Sequence, residues 1–267
     1  IVKIVDVEKV NPLFNVDACI IVARKGGTTT YPVPAIILSG VLPEKNLHLK
    51  QATKYLTIKK GEYSPPAKEE ELSQYYDKVL EGANIVPRTL WLVKFVPGTF
   101  GLDPSMPLIE SLVLPDAKEP WKNVTHKQEV ESQFIFLTMT GKFLLPFKPQ
   151  FLPAVLPLTK EPDRLTILSS RELRKYGKLK MANWLDWAQT AWKENATETS
   201  LENFPKPMDY MNYHNKLILQ KQHLRYHVVY TASGTHIAAA VVDTKRMHDL
   251  QIGTTKISPT GFVADYT

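Results

Sequence analysis

Apolar residues in the first part of the chain form short runs of the kind that β-strands use. The chain opens with Ile1–Val5, a second apolar run covers Val16–Val22, and a third covers Tyr31–Leu38. Between the last two runs, Arg24–Thr28 contains two glycines and predicts a turn. The pattern therefore predicts an N-terminal β-hairpin followed by a further strand.

Helical spacing appears in two other regions. Lys68–Glu81 carries apolar residues on one face and predicts a short helix. Residues 163–204 contain no proline, and Ser169 or Ser170 can cap a helix that begins at Arg171. A stripe at helical spacing follows, formed by Trp184, Trp187, Ala188, Ala191 and Trp192. Core packing is the expected role of this stripe, with base stacking as the alternative.

The remaining segments favour loops and short strands. Pro97–Pro162 holds ten of the chain's twenty prolines, which remove backbone donors and break helices. Near the end, Tyr226–Tyr230 and Ile237–Val242 are strand-like, and Ala232–Thr235 between them predicts a hairpin turn. Together these patterns predict a mixed α+β fold.

Composition narrows the cellular setting. The chain has 267 residues, no apolar run of the roughly 18 residues that cross a bilayer, and no signal peptide at its start. Its single cysteine, Cys19, lies in an apolar run and is expected to be a small buried residue. These features predict a cytoplasmic protein without a membrane partner. Because strand-like runs stand at both ends and no methionine begins the chain, we expect it to be a piece of a longer protein.

Positive charge is concentrated towards the C-terminus. The net charge is +6, and residues 171–256 hold 13 Lys or Arg against 8 Asp or Glu. A segment of this kind suits a polyanionic partner, although solvated surface lysines are the simpler explanation.

No complete catalytic or metal site is recognisable. His223 and His227 are four residues apart, but their surroundings favour a strand, and Ser233 lacks the first glycine of a nucleophile elbow. Asn11–Phe14 partly matches the catalytic loop of amino-group methyltransferases. Leu13 replaces the second proline of that loop, so the segment is interpreted as a turn.

Several segments nevertheless resemble adenine-specific DNA methyltransferases of restriction-modification systems. Val10–Cys19 resembles the stretch just after the catalytic core of that family. Tyr213–Leu217, Tyr226–Asp243 and Gly261–Asp265 resemble its target-recognition half, whereas residues 47–163 match no family pattern.

The resemblance implies a division of labour. Residues 1–45 would supply the last strands of a methyltransferase sheet, and residues 46–267 would form a target-recognition α+β domain. The catalytic domain and its cofactor, S-adenosylmethionine, would belong to the parent enzyme, so no cofactor and no catalytic residue is expected in this chain. The parent would methylate an adenine flipped out of duplex DNA, while this part grips the duplex and recognises the target sequence.

Two sets of side chains are candidates for DNA contact. Phosphate contacts are predicted for Arg171, Arg174, Lys175, Lys178 and Lys180. Base contacts are predicted for Asn212, Asn215, Gln220, Gln222 and Arg225, with Ser233 and Thr235 at the hairpin tip. The alternatives are a non-catalytic structural or protein-binding module, and a metal or hydrolytic enzyme that uses the histidine-rich end.

Overall fold

A computed structural model describes most of the chain as two compact units, residues 1–76 and 77–267. The described residues are 1–14, 18–65, 79–99, 101–144, 149–161, 164–231, 238–247 and 249–266. Helices and several small sheets occur together, which confirms the mixed α+β class. The helix predicted over Lys68–Glu81 falls largely outside the described residues.

The first unit is built on a four-stranded mixed sheet with the order β2-β1-β3-β4. Its strands are β1 (Lys3–Asn11), β2 (Cys19–Val22), β3 (Val33–Val41) and β4 (Leu56–Tyr63), and helix α1 covers Leu49–Ala52. β1 pairs antiparallel with β2 and parallel with β3. β2 and β3, which flank the predicted turn at 24–28, are therefore not neighbours in this sheet. Whether this sheet completes that of a methyltransferase stays a prediction.

One face of the first unit holds a small apolar core, and one edge is bare. Val7, Val10, Leu42 and Ala52 are buried together. All four residues of β2 are exposed, including Cys19. The prediction of a buried Cys19 is therefore wrong, because β2 forms a sheet edge and both of its faces reach solvent.

The domain boundary predicted after residue 45 falls inside the first unit. β3 and β4 pair antiparallel from Val33 opposite Tyr63 to Gly40 opposite Leu56. At Gly40 a Cβ would lie 2.1 Å from the carbonyl oxygen of Tyr55, so this close approach of the two backbones needs a glycine. Because strands from both sides of residue 45 share one sheet, the first unit continues to residue 76.

The second unit combines small antiparallel sheets with a helical layer. Its strands are β5 (Val93–Phe95), β6 (Leu108–Ser111), β7 (Lys127–Glu129), β8 (Ile135–Thr138), β9 (Leu152–Val155), β10 (Leu158–Lys160), β11 (Leu165–Ile167), β12 (Tyr226–Tyr230), β13 (Ala239–Asp243), β14 (Leu250–Ile252) and β15 (Thr255–Ile257). β5, β6 and β7 form a three-stranded sheet, and β8–β9, β10–β11, β12–β13 and β14–β15 form antiparallel pairs. The helices α2 to α5 are Ser170–Lys175, Leu179–Asn195, Glu198–Asn203 and Pro207–Met211. Single 3-10 turns lie at Arg88–Leu90, Trp121–Asn123, Ser132–Phe134, Gly141–Phe143 and Tyr213–Asn215.

Helix α2 begins where a local sequence signal places it. The Ser169 hydroxyl accepts a hydrogen bond from the Glu172 backbone N–H at 3.3 Å. The Glu172 carboxylate in turn accepts from the Ser169 backbone N–H at 2.8 Å. This reciprocal capping box satisfies two backbone donors at the helix start and confirms Ser169 as the cap.

The tryptophan stripe of α3 is core packing, as predicted. Trp184 is fully buried and its indole N–H donates to the Leu90 carbonyl at 2.9 Å. Trp192 donates to the Phe204 carbonyl at 2.9 Å. Trp187 is half-buried and stacks on His126, with ring centroids 4.6 Å apart. The indoles thus contribute apolar area to the core, while the N–H groups of Trp184 and Trp192 donate to backbone carbonyls.

An extended C-terminal segment passes through the core of the second unit. The Leu137 N–H donates to the Gly261 carbonyl, and the Val263 N–H donates to the Leu137 carbonyl, both at 2.9 Å. Phe262 and Val263 are buried. Farther along, the buried Asp265 carboxylate accepts from the Arg88 guanidinium at 3.2 Å.

Two buried glutamines complete the hydrogen bonding of this segment. The Gln220 side chain accepts from the Ala264 N–H at 2.8 Å and donates to the Ala264 carbonyl at 3.0 Å. The Gln222 amide donates to the Phe262 carbonyl at 2.8 Å. Each amide therefore takes the place that a neighbouring strand would fill.

We predict that Gln220→Leu lowers the free energy of unfolding of the second unit by about 1–3 kcal/mol, because it leaves the Ala264 backbone N–H without the acceptor that Gln220 provides. Urea unfolding at pH 7.5 measures the change. Lys221→Ala is the control, since Lys221 is exposed and adjacent. Equal stability of Gln220→Leu and the unaltered chain would contradict the role given to this amide.

Candidate nucleic-acid interface

Strands β12 and β13 form a two-stranded antiparallel ribbon with an apolar outer face. Tyr226 pairs with Asp243 and Tyr230 with Ala239 at the two ends of the described ladder. Successive side chains on a strand point to opposite faces. On the outer face Tyr226 is 54% exposed, Val228 67%, Tyr230 46% and Val241 60%. We call Tyr226, Val228, Tyr230, Ala239 and Val241 the ribbon face, which ends at its base in Asp243, opposite Tyr226 on the same side.

The opposite side of the ribbon is anchored to the core. Val242 is buried in a cluster with Leu137 and Phe262, and Val229 packs against the same cluster. The His227 ring lies 6.1 Å from the Phe262 ring, centroid to centroid. The ribbon is therefore held on one side only, so its outer face is available to a partner.

A charged pair closes the base of the ribbon. The Arg225 Nε–H donates to Asp243 Oδ1 at 3.2 Å, and its Nη2–H donates to Oδ2 at 3.0 Å. Arg246 approaches the same carboxylate at 3.7 Å. The Arg225 hydrogen bond, followed by the charges of Arg225 and Arg246, holds the pKa of the Asp243 carboxyl below its usual range. Asp243 is therefore ionised at neutral pH and keeps Arg225 in place.

An open cleft of about 530 Å³ adjoins this base. Its lining includes three cationic side chains, those of Lys160, Arg225 and Lys245. The lining also includes the carboxylates of Glu161 and Asp249, which already accept hydrogen bonds within the protein. Glu161 accepts from Thr166 and Arg164, and Asp249 accepts from Ser258. With Arg225 paired to Asp243 and Glu161 paired to Arg164, the lysines at 160 and 245 outnumber the remaining carboxylate of the lining, Asp249, a setting that suits an anion.

The predicted phosphate-binding residues lie around α2. Arg171, Arg174 and Lys175 are exposed on the helix, whereas Lys178 and Lys180 are half-buried beyond its end. Arg174 pairs with Asp186 at 2.5 Å and Lys180 with Glu129 at 2.8 Å. None of the five lines the cleft.

The two predicted asparagines occupy a tight turn. The Asn212 side-chain oxygen accepts from the backbone N–H groups of Leu217 and Ile218, both at 3.2 Å, and so stabilises the turn. Asn215 is exposed, with φ of 62°, and follows His214, with φ of 53°. Two successive non-glycine residues in the left-handed region are unusual and mark a strained turn.

Two predicted base contacts need correction. Gln220 and Gln222 are buried, and their amides bond to the C-terminal segment. Both side chains serve the fold, since their amides are already bonded to backbone groups, although Gln222 also lines the cleft. Ser233 and Thr235 lie outside the described residues. Arg225 remains exposed, at the edge of the cleft.

Sequence reasoning missed several members of this surface. Tyr226, Val228 and Tyr230 alternate with inward residues, a period-two signal that could have separated the two faces. Lys160 was missed because it joins Lys245 in the cleft only through tertiary contacts.

Among the residues that the structure describes, no group of three or more His, Cys, Asp or Glu could hold a metal ion. No helix in the described part of the chain is long and apolar enough to cross a membrane.

Comparisons with protein-family models, with curated proteins and with solved structures found no match to this chain. Its geometry and its sequence motifs therefore carry the functional argument.

We predict that stability falls as pH drops below about 6.5, in part through His227. Burial lowers the pKa of His227 from the usual 6.5, and the positive charges of His223 and Lys160 lower it further, against a backbone hydrogen bond at Leu224. The unfolded chain therefore takes up this proton at a higher pH than the folded protein does. Folding loses free energy as pH falls through that window.

Urea unfolding at pH 7.5, 6.5 and 5.5 measures this dependence. His227→Gln should flatten it, whereas replacing the exposed His214 by Gln serves as the matched control. An unchanged slope in a folded His227→Gln variant would show that other groups account for the pH dependence.

Proposed function

We propose that this chain is the DNA-binding, target-recognising part of an adenine-specific DNA methyltransferase. The parent transfers a methyl group from S-adenosylmethionine to an adenine amine in duplex DNA, in the cytoplasm. The ribbon face, with cations at its base, is the observation that carries the DNA-binding part of the proposal. The resemblance of Val10–Cys19 and of the C-terminal segments supports the methyltransferase part.

The dimensions of a two-stranded ribbon suit the major groove of DNA. That groove is about 12 Å wide and admits either a helix or a two-stranded ribbon. Val228 and Val241 offer apolar contact to thymine methyl groups, and the hydroxyls of Tyr226 and Tyr230 can donate to phosphate or base acceptors. An apolar face alone would equally suit a protein partner, so the surrounding charge decides between the two.

The charges at the foot of the ribbon favour a polyanion. Lys160 and Lys245 line the cleft, and Arg246 is 79% exposed in its side chain. Phosphates that flank a groove-bound ribbon would lie against such groups, where lysine and arginine supply the sequence-independent share of affinity.

The first unit offers a surface for the catalytic domain of the parent. Its edge strand β2 exposes Ile20, Ile21 and Val22, an apolar set unusual for a strand whose edge is unpaired among the described residues. The segment before it resembles the stretch just after the catalytic core. We therefore assign β2 to packing against that domain.

We predict salt-dependent binding of duplex DNA, with log affinity falling against log salt by about 0.9 for each neutralised phosphate. The double variant Lys160→Gln, Lys245→Gln should bind every sequence more weakly and with a shallower slope. Fluorescence anisotropy with a labelled random duplex at several salt concentrations measures both quantities. Lys193→Gln is the control, because this exposed lysine of α3 does not line the cleft.

Variants at Val228 test whether the ribbon face itself contacts the DNA or whether the basic side chains alone account for binding. Val228→Glu places a carboxylate on the ribbon face and should weaken binding, whereas Val228→Thr keeps the branched shape and should bind. Absence of binding at low salt, or binding that does not respond to salt, would refute the DNA-binding proposal. Strong binding by Val228→Glu would show that the ribbon face stays outside the groove.

We predict that the chain alone transfers no methyl group. The Asn11 carbonyl accepts from the Leu42 N–H at 2.6 Å, and Asn11 pairs with Val41 in the sheet. This residue is therefore a structural part of the sheet end. Incubation with duplex DNA and labelled S-adenosylmethionine should give no incorporation, and incorporation that Asn11→Ala abolishes would overturn this assignment.

A further inference from the structure

We infer that Arg225 is a guanine-recognising residue, held in position by Asp243 and Tyr226. The inference rests on the proposed DNA-binding function and names the base that this part of the surface recognises. The guanidinium has two edges that can each donate two hydrogen bonds, and the described part of the protein uses only one of them.

Asp243 occupies one edge of the Arg225 guanidinium. Nε and Nη2 donate to the two carboxylate oxygens at 3.2 and 3.0 Å, which is the side-on, two-bond arrangement. The carboxylate is itself fixed, because its Oδ1 also accepts from the Lys245 backbone N–H at 3.1 Å. The direction of the guanidinium is thus set by backbone at the end of β13.

Contact with the Tyr226 ring further restricts rotation of the Arg225 side chain. The Arg225 Cζ lies 4.7 Å from the centre of the Tyr226 ring, within the range of a cation–π contact. A guanidinium stacked on a ring and bridged to a carboxylate has lost most of its rotamer freedom before any ligand arrives. Binding through this group therefore carries a smaller entropic cost than binding through a free arginine.

The end-on edge, formed by Nη1–H and the second Nη2–H, is left for a ligand. Among the described residues, no hydrogen-bond partner of Nη1 is found, and the side chain is 42% exposed. Two parallel donors match the O6 and N7 acceptors of guanine in the major groove. Adenine presents a donor beside its N7, and cytosine presents a donor at N4, so each mismatches this edge.

Charge pairing favours base recognition over phosphate contact at this residue. Asp243 offsets the positive charge of Arg225, which weakens its attraction to a phosphate while its directional donors remain. Lys160 and Lys245 in the adjoining cleft suit the phosphates instead. The base of the ribbon therefore combines one fixed, directional donor pair with flexible cations.

The experiment selects binding sites from a randomised duplex library with the 267-residue chain at low salt, followed by sequencing. Selected sites should share at least one guanine position. In Arg225→Lys, which keeps the charge but loses the fork, preference for that guanine should fall about 5- to 150-fold. Preferences at other positions should persist. Arg174→Lys is the matched control, because Arg174 also pairs with an aspartate but lies on α2.

A change in the DNA provides a test that does not depend on the variant folding. Replacing the selected guanine by 7-deazaguanine removes the N7 acceptor and should weaken binding of the unaltered chain about tenfold. The same replacement should add little to the defect of Arg225→Lys, because the contact is already lost.

The outcomes separate this inference from the proposed function. If the chain binds no duplex DNA, the proposed function fails and this inference with it. If it binds without a shared guanine, or if folded Arg225→Lys keeps the guanine preference, Arg225 does not recognise guanine, while DNA binding stands. Insensitivity of the unaltered chain to 7-deazaguanine overturns the inference in the same way.

Discussion

Residues 261–264 run through the core of the second unit, where buried backbone N–H and carbonyl groups need hydrogen-bond partners. β8 supplies partners on one side through Leu137. On the other side, the segment meets the side chains of Gln220 and Gln222, which act in place of a strand. The fit at Gly261 is close, since a Cβ there would lie 2.7 Å from the Gln222 side-chain oxygen. The packing of the second unit depends on this arrangement.

The same segment links the core to the candidate interface. Phe262 is buried beside Val242 on the inner side of the ribbon and also lines the cleft at the ribbon's foot. A two-stranded ribbon is marginally stable by itself in water, so packing on one face is what fixes its position. One face can then remain apolar and exposed without loss of the ribbon's geometry.

Charge pairing fixes the geometry at the base of the ribbon. Arg225 is oriented by a carboxylate and a ring, whereas Lys245 is exposed in the turn that follows β13. Rigid donors favour discrimination among acceptors of defined geometry, and flexible cations favour affinity for any anion. The proposed division between base recognition and phosphate contact follows from this physical difference.

Local signals in the sequence were sufficient for several elements. The serines at 169 and 170 predicted the start of α2, because an N-cap side chain bonds to a backbone N–H only two or three residues away. Helical periodicity placed Trp184 and Trp192 in the core, and apolar runs predicted that the first part of the chain forms strands. The mixed α+β class followed from such patterns, each of which lies within a few neighbouring residues.

The rest was decided by contacts between distant parts of the chain. Gln220 and Gln222 are polar and lie in a basic segment, so the sequence placed them on the surface. Their burial depends on a backbone segment about 40 residues later, which they contact on the side away from Leu137. Cys19 is exposed for the converse reason, since its apolar run ends at a sheet edge that no described element covers. The sequence by itself determined the local elements and the basic character of the C-terminal part. Only the tertiary structure decided which polar side chains serve the fold and which remain on the surface, because burial depends on long-range neighbours.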